Sequence, residues 1–300
     1  MKLWLRSSVT AFALAISTFS FADTIINHAQ GKTKVSEAPS RVITFDIAAL
    51  DTLDSLGVDV IGLPKKFVPD YLSKYRGHDY TNVGSLFEPD YEVVAAENPD
   101  FIVVGPRSAR AYKSLNDMAP TVDMSISGKH FAEGFRQQVS ALAQVFDKQD
   151  VADTKLKAID AAIEKVRGLS AKSGNGLIIL TNGGKISAYG DTSRFGWLHN
   201  ELGIEPAVKD VKAATHGEPI SFEFILKTNP DWLFVVDRDA ALGKSTGAAK
   251  TLLNNDVIAQ TKAYKQDQIV YLNGVTWYIV GSGLTAVQSM VDEVLLALQK

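Results

Sequence analysis

Cysteine is absent from the 300 residues, so the chain can form no disulfide bond. The same absence removes the residue to which a bacterial lipoprotein attaches its lipid anchor, so we do not expect a lipoprotein. A chain of this length buries enough apolar surface to be stable without cross-links. Export without disulfides is more typical of a Gram-negative periplasm than of animal secretion, because small secreted domains of animals usually rely on such cross-links.

Long basic runs and the motifs of common enzymes are also missing. The formal net charge is −3, and lysine and arginine are scattered without five in a row, so we expect no nucleic-acid partner. The segment Gly243-Lys244-Ser245 resembles the end of a nucleotide phosphate-binding loop, but Arg238 occupies the position of that motif's first glycine. No cysteine nucleophile and no Gly-x-Ser-x-Gly elbow are present, so the sequence does not indicate an enzyme.

The start of the chain has the pattern of a secretory signal peptide. Basic residues precede an apolar stretch from Val9 to Phe21, which is too short to span a bilayer comfortably. Small residues at positions 20 and 22 suit cleavage after Ala22. We therefore predict that residues 1–22 are removed on export and that the mature protein is soluble in the periplasm.

Short apolar runs rich in β-branched residues alternate with helical patterns along the rest of the chain. Runs of this kind are typical of strands that are buried on both faces of a sheet. Helical patterns cover Ile47–Leu56 and Phe131–Phe146. The alternation predicts an α/β fold with largely parallel sheets. The predicted strands are Val42–Phe45, Val58–Ile61, Phe101–Val104, Leu177–Leu180, Trp232–Val236 and Ile269–Leu272.

A long amphipathic helix divides the chain near its middle. Apolar residues recur at three- and four-residue steps from Leu156 to Val166, while charged residues fill the other faces. A segment rich in glycine and serine then ends the pattern. We therefore predict a first α/β lobe over residues 23–147, a connecting helix over 148–172 and a second α/β lobe over 173–300.

An internal repeat links the two predicted lobes. The segment Asn98–Val104 returns 131 positions later as Asn229–Val235, and each copy begins with Asn-Pro-Asp and continues as an apolar strand. The Asn-Pro-Asp motif alone is common where a helix stops. The same spacing of 131 positions also relates two charged residues of the first half to charged residues of the second half. Packing gives no reason for surface charges to recur in this way, so the repeat favours two lobes built alike. These pairs are Glu92 with Glu223 and Arg107 with Arg238.

Three arginines are the candidates for binding an anion. Arg107 and Arg238 follow the carboxyl ends of predicted strands, where open α/β sheets bind their ligands. Arg194 lies in a glycine-rich loop after the apolar run Ile186–Tyr189. A guanidinium group stays charged and donates paired hydrogen bonds to neighbouring oxygens. A lone arginine is as often a solvated surface residue, but Arg107, Arg194 and Arg238, hereafter the arginine cluster, together predict an anionic, oxygen-rich ligand.

His216 and Tyr278 are candidate iron ligands. His216 lies in a stretch of small residues, and Tyr278 follows the strand that ends at Leu272. An imidazole nitrogen and a phenolate oxygen suit Fe³⁺, because a metal ion can deprotonate a phenol. Two protein ligands do not complete an octahedral shell, so a bound small molecule would supply the rest. The alternative is a structural or exposed histidine and a tyrosine in the core or a cleft wall.

With these residues in place, the chain from about Thr24 to its end resembles the periplasmic binding proteins of ferric-siderophore and vitamin B12 importers. It is most similar to those that bind ferric catecholates. The Asn-Pro-Asp strands, the long helix between them, the arginine cluster, His216 and Tyr278 carry this resemblance over nearly the whole mature chain. It implies the class III periplasmic binding protein fold, in which two α/β lobes with mainly parallel sheets are joined by a single long α-helix.

The resemblance also implies roles for individual residues. The arginine cluster would line an anion pocket, and His216 with Tyr278 would complete the iron shell around a tetradentate catecholate. Glu92 and Glu223 would dock onto an inner-membrane permease dimer that works with an ATPase. Fe³⁺ would enter within the siderophore complex and not as an intrinsic cofactor, and we expect a monomer. A departure from the family pattern, the proline before Arg107, leaves the aim of that side chain open.

Two other functions stay open at this point. Carriage of haem or cobalamin belongs to the same class and would need an apolar pocket in place of the arginine cluster. A metal-dependent enzyme of the same two-lobed architecture would need a cofactor motif or cysteine ligands, and the sequence shows neither.

Overall fold

The structure, a computed structural model, describes residues 23–35, 38–127, 130–211 and 216–300. The predicted signal peptide, residues 1–22, lies outside the described residues. Among the helices of the described ranges, none combines the length and the apolar composition that a membrane crossing requires.

The first lobe is a parallel sheet flanked by helices, preceded by an antiparallel hairpin of β1 (Thr24–His28) and β2 (Gly31–Val35). The sheet strands are β3 (Val42–Thr44), β4 (Gly62–Leu63), β5 (Thr81–Asn82), β6 (Phe101–Val104) and β7 (Thr121–Asp123). Their order across the sheet is β5-β4-β3-β6-β7. The helices are α1 (Ile47–Ser55), α2 (Tyr91–Glu97), α3 (Tyr112–Asn116) and α4 (Phe131–Val145).

One long helix, α5 (Gln149–Ser170), leads from the first lobe to the second. Its buried residues recur at helical spacing on one face, and they include Leu156, Ile159 and Val166. The helix continues through Gly168 and ends two residues later, because a single glycine costs a helix only about 1 kcal/mol. The predicted long helix is therefore present, and it ends at Ser170, two residues after the glycine that we expected to break it.

The second lobe has a mixed sheet. Its main strands lie in the order β11-β9-β8-β12-β13, and β10 pairs with the start of β8. Strands β8, β12 and β13 are parallel, whereas β9 is antiparallel to both of its neighbours. The strands are β8 (Asn175–Asn182), β9 (Lys185–Tyr189), β10 (Glu205–Pro206), β11 (Glu218–Ile220), β12 (Trp232–Asp237) and β13 (Ile269–Leu272).

Six further α-helices belong to the second half of the described chain, and the last of them returns to the first lobe. This closing helix, α11, packs against α1 and α5. The two α/β lobes, their mainly parallel sheets and the single long connecting helix confirm the predicted fold class. The helices are α6 (Trp197–Asn200), α7 (Phe222–Thr228), α8 (Arg238–Ala241), α9 (Ala248–Leu253), α10 (Lys262–Lys265) and α11 (Leu284–Leu298).

Asp51 attaches the closing helix to the first lobe. This residue of α1 is fully buried, and its carboxylate accepts hydrogen bonds from the backbone N–H groups of Thr285 (3.0 Å) and Ala286 (2.8 Å). These donors belong to the first turn of α11, where a helix leaves N–H groups without internal partners. A Cβ atom at Gly283 would lie 2.3 Å from the carboxylate, so glycine is required at this approach.

The internal repeat corresponds to equivalent structures in the two lobes. Helices α2 and α7 begin and end 131 positions apart, and each stops at an asparagine in the left-handed conformation, Asn98 (φ 45°) and Asn229 (φ 47°). The aspartate of each Asn-Pro-Asp then accepts a backbone N–H at the start of a neighbouring strand. Asp100 accepts that of Arg41 (2.8 Å), and Asp231 accepts that of Asn175 (3.0 Å).

One predicted strand is wrong. The apolar run Val58–Ile61 precedes the strand, which is the short β4 at Gly62–Leu63. Gly62 is required within it because a Cβ atom there would lie 2.6 Å from the Val83 side chain. Within the run only Val60 is buried, and it leads into the strand. A glycine that is selected for a close approach carries no apolar signal of a strand.

Candidate functional site

A cavity of about 830 Å³ lies between the lobes, and all five residues predicted to bind the ligand line it. Arg107 and Phe131 come from the first lobe, whereas Arg194, His216 and Arg238 come from the second. We call this cavity the cleft. Its other lining residues include Asp46, Phe87, Lys185, Tyr189, Trp197, Trp277 and Tyr278.

The arginine cluster surrounds the ring of Tyr278. The guanidinium carbons of Arg107, Arg194 and Arg238 lie 5.7, 4.8 and 5.5 Å from the ring centre. Cations at such distances are attracted to the electron-rich face of an aromatic ring. The structure therefore brings together four residues that are separated by up to 171 positions in the sequence.

Backbone oxygens and the phenol hold the arginine cluster in place. Arg107 donates to the carbonyl oxygens of Tyr278 (2.6 Å) and Ile279 (3.1 Å), which ties the first lobe to the second half of the chain. Arg194 also donates to the carbonyl of Tyr278 (2.9 Å). The Nε of Arg238 donates to the phenol oxygen of Tyr278 (2.8 Å). These contacts leave other N–H groups of each guanidinium for a ligand.

The loop that carries Arg194 is fixed by a tight turn. Ser193 donates its hydroxyl to the carbonyl of Gly190 (2.6 Å) and accepts the N–H of Phe195 (3.2 Å). A Cβ atom at Gly196 would lie on the Asp191 carbonyl, so the turn requires glycine. Burial against the protein, with a smaller contribution from the charge of Arg107, lowers the pKa of Arg194 to about 10. The group therefore stays charged at neutral pH.

Tyr278 lies in a single turn of π-helix, Val275–Val280, between β13 and the closing helix. Glu293 of α11 anchors this turn, since its carboxylate accepts the N–H of Asn273 (2.9 Å) and the indole N–H of Trp277 (2.9 Å). Burial raises the pKa of Glu293, which the two hydrogen bonds oppose. Single turns of π-helix occur frequently at functional sites because they displace a side chain from its helical position.

His216 is exposed and lines the same cleft as Tyr278. Residues 212–215, which precede it, lie outside the described residues. Within the described ranges, no group of three or more His, Cys, Asp or Glu side chains could hold a metal ion. An imidazole and a phenol in one cleft can supply two donors to iron but not a full coordination shell.

A ladder of aromatic rings forms one wall of the cleft, and the sequence analysis did not identify it. Phe131 stacks on Trp197 with ring centres 5.1 Å apart, and Trp197 stacks on Trp277 at 5.0 Å. Phe131 is the first residue of α4, so the ladder joins the two lobes. Isolated aromatic residues spread over 147 positions give no sequence signal for such a stack.

Two charged residues of the cleft were also not identified from the sequence. Lys185 begins β9 after the tight turn at Gly183 and Gly184, and its exposed side chain adds a fourth cation. Asp46, the residue before α1, is the sole carboxyl among the described lining residues. Arg110, three residues after Arg107, is exposed and does not line the cleft.

Glu92 and Glu223 lie outside the cleft in equivalent positions. Each is exposed in the first turn of its helix, α2 or α7, and each helix begins at a side-chain cap, Asp90 or Ser221. The Ser221 hydroxyl lowers the pKa of Glu223. Both side chains are therefore accessible at the surface.

The sequence pattern of the periplasmic binding proteins matches residues 42–276, which include both sheets and most of the cleft. This chain belongs to the periplasmic binding protein family. Membership of this family places the protein outside the cytoplasm, and its named relatives are binding proteins.

Individual relatives cover most of this periplasmic binding protein. The petrobactin-binding protein YclQ of Bacillus subtilis is 42% identical over 89% of this chain and 85% of its own length. Its crystal structure covers 93% of this chain and all of the other, with a TM-score of 0.90. The ferric-anguibactin-binding protein FatB of Vibrio anguillarum is 35% identical over 92% of this chain and 87% of its own length.

A third relative is the periplasmic catecholate-siderophore binding protein VctP of Vibrio cholerae. Its structure is 34% identical to this chain, covers 91% of this chain and 99% of its own, and has a TM-score of 0.87. The fold of this periplasmic binding protein is therefore shared with siderophore-binding proteins along nearly its whole length.

Proposed function

We propose that this protein binds a ferric catecholate siderophore in the cleft and delivers it to an inner-membrane ABC importer. The observation that carries this proposal is the convergence of three guanidinium groups, from both lobes, around the ring of Tyr278. The relatives whose names specify petrobactin, ferric anguibactin and a catecholate siderophore support the ligand class.

The charge of the cleft favours an anionic ligand. Three arginines and Lys185 line it, and Asp46 is the sole carboxyl among its described residues. A cleft lined by one sign of charge attracts ions of the opposite sign and speeds their association. A ferric complex of catecholates carries net negative charge and many oxygen atoms, which guanidinium groups bind in pairs. The volume of about 830 Å³ also falls in the range of small-molecule sites.

Iron coordination by His216 and Tyr278 is a further part of the proposal. The phenol oxygen accepts a hydrogen bond from Arg238, which holds it in the cleft, and a bound Fe³⁺ would itself deprotonate the phenol. A tetradentate catecholate leaves two coordination positions open, which the two side chains would fill. A hexadentate catecholate fills the shell itself and would rely on the arginine cluster alone.

Delivery would use Glu92 and Glu223. Their equivalent, exposed positions suit docking of one lobe onto each half of a permease dimer, whose ATPase drives import. We also propose that residues 1–22 are cleaved, that the protein is released into the periplasm without a lipid anchor, and that it is a monomer with no nucleic-acid partner. The proposed lobes span residues 23–147 and 173–300, joined by 148–172, with α11 returning to the first lobe.

We infer a binding role and not an enzymatic one, since the relatives are binding proteins and, among the described lining residues, no nucleophile is paired with a base. Haem or cobalamin carriage is the alternative within the same class. The arginines and Lys185 among the described lining residues disfavour it, because such ligands would gain more from an apolar pocket.

A binding titration tests the proposal. The mature protein is titrated with the ferric complex of a tetradentate catecholate while the fluorescence of Trp197 and Trp277, which line the cleft, is followed. We expect quenching and a dissociation constant that Arg107→Gln raises at least tenfold, because a hydrogen bond to a charged group contributes about 1.5–3 kcal/mol.

Arg110→Gln is the matched control, because it removes the same charge three residues away and outside the cleft. We expect it to change the dissociation constant less than twofold. Haem and cobalamin serve as competing ligands in the same assay. Binding of either one, without binding of the ferric catecholate, would contradict the siderophore proposal.

A further inference from the structure

Asp46 is a buried carboxyl in a cleft where lysine and arginine supply the other charged groups among the described lining residues. It lies two residues after the end of β3, is 6% exposed and lines the cleft together with Arg107. Among the described lining residues no other carboxyl is present. Buried charges are ordinarily paired, so the partners of this one decide whether its role is structural.

The contacts of Asp46 inside the protein are few. Its carboxylate accepts the backbone N–H groups of Ala48 and Ala49, the latter at 3.3 Å, as the cap of α1. No ion pair within 4.0 Å is formed by it in the described part of the chain. Arg107 is close enough to interact electrostatically with Asp46, but its guanidinium group donates its hydrogen bonds to the carbonyls of Tyr278 and Ile279. The capping contact alone would not require a charged residue, since serine or asparagine serves as well.

The backbone nearby is shaped to admit this carboxyl. A Cβ atom at Gly105 would lie 2.5 Å from the carboxyl carbon of Asp46 and 2.8 Å from its Oδ1. Burial raises the pKa of Asp46 to about 6, and the nearby Asp123 adds to this while Arg107 opposes it. The group is therefore still mainly ionised at pH 7.5, at a cost to stability. Titratable groups held in unfavourable surroundings beside a cleft are candidates for ligand contact.

We propose that Asp46 accepts a hydrogen bond from an ammonium or other N–H donor of the ligand. This rests on the proposed function and makes the cleft selective for ferric catecholates whose linker carries a basic nitrogen. The arginine cluster takes the anionic chelate, while Asp46 takes a donor on the first-lobe side. A ligand that carries only negative charge would place its own anionic groups beside the buried carboxylate of Asp46.

The test compares two ferric complexes with the same catecholate groups, one with a secondary amine in the linker and one with that amine acetylated. Dissociation constants are measured by tryptophan quenching for the unchanged protein and for Asp46→Asn, which keeps the size and the capping oxygen. We expect the unchanged protein to bind the amine complex at least tenfold more tightly. In Asp46→Asn the preference should fall below threefold through weaker binding of the amine complex alone.

Asp256→Asn is the control, since it makes the same change at an exposed carboxylate outside the cleft, and it should keep the full preference. Equal weakening of both complexes by Asp46→Asn would overturn the inference in favour of a structural cap. An unchanged preference would overturn it as well. If the unchanged protein bound neither complex, the proposed function would fall, and the inference with it.

A pH series on the unchanged protein keeps the inference testable even if Asp46→Asn does not fold. The ratio of the two dissociation constants cancels the protonation of the shared chelate. Between pH 7.5 and pH 5.0 Asp46 becomes protonated while a secondary amine stays charged, so the preference should fall at least threefold. A preference that stayed constant over this range would overturn the inference.

Discussion

Replacing Asp51 with alanine would test whether one buried carboxylate holds the closing helix on the first lobe. The substitution removes the acceptor of the Thr285 and Ala286 N–H groups and of the Tyr71 hydroxyl (3.0 Å). Each buried donor left without an acceptor costs about 1–3 kcal/mol. Burial raises the pKa of Asp51, so its removal also recovers part of that charge's desolvation cost. We expect a net loss of about 2–4 kcal/mol in the free energy of unfolding.

Urea unfolding followed by far-UV circular dichroism and by tryptophan fluorescence measures this loss. Asp70→Ala is the control, because Asp70 is an exposed carboxylate in a surface ion pair with Arg76. Surface pairs of this kind contribute little, so we expect a change below about 0.5 kcal/mol there. A loss below about 1 kcal/mol for Asp51→Ala would refute the view that this carboxylate fixes α11.

Other groups make further predictions. The folded-state pKa of Asp46, about 6, exceeds its usual value of 3.8, so ionisation opposes folding and stability is lost as pH rises from about 4 to 7. Relative to the unchanged protein, the free energy of unfolding of Asp46→Asn should rise by up to about 3 kcal/mol between these pH values, as measured by urea unfolding. The same pH dependence of stability in both proteins would refute this prediction. Burial lowers the pKa of His199, so the folded protein favours the neutral imidazole and its stability should fall below pH 6.5. The loss of stability should be smaller in His199→Gln. Thermal melts at pH 5 and 7.5 measure this difference, and identical melts for both proteins would contradict the prediction. The double substitution of Glu92 and Glu223 by alanine should leave ligand affinity unchanged but lower uptake through the reconstituted importer at least tenfold. Glu164→Ala, a control on an exposed face of α5, should leave uptake unchanged. Normal uptake by the double variant would exclude docking through these residues.

The repeated elements could be predicted from the sequence because each carries its own local signal. Asn98 and Asn229 end equivalent helices in the left-handed conformation, which asparagine tolerates better than most residues. The apolar runs at β6 and β12 are buried on both faces of their sheets, so their composition alone indicates a strand. The matched spacing of Arg107 and Arg238 then located the carboxyl ends of both strands.

Other parts of the cleft depend on contacts that leave no local pattern. Phe131, Trp197 and Trp277 come from three different elements and stack only in the folded chain, so no local spacing encodes their contact. Asp46 has the sequence signature of an ordinary helix cap, and its exposure to the cleft depends on the missing side chain of Gly105. The strand β4 was placed too early because glycine, not a β-branched residue, begins it.

The most direct test of the account is the visible charge-transfer band of a tetradentate ferric catecholate as it binds. The account predicts a shift of this band when His216 and Tyr278 enter the iron shell, and the loss of this shift in His216→Ala and Tyr278→Phe. A hexadentate complex should bind through the arginine cluster without a shift. Tight binding of the tetradentate complex with an unchanged band would contradict iron ligation by these side chains, and no binding of either complex would contradict the siderophore function itself.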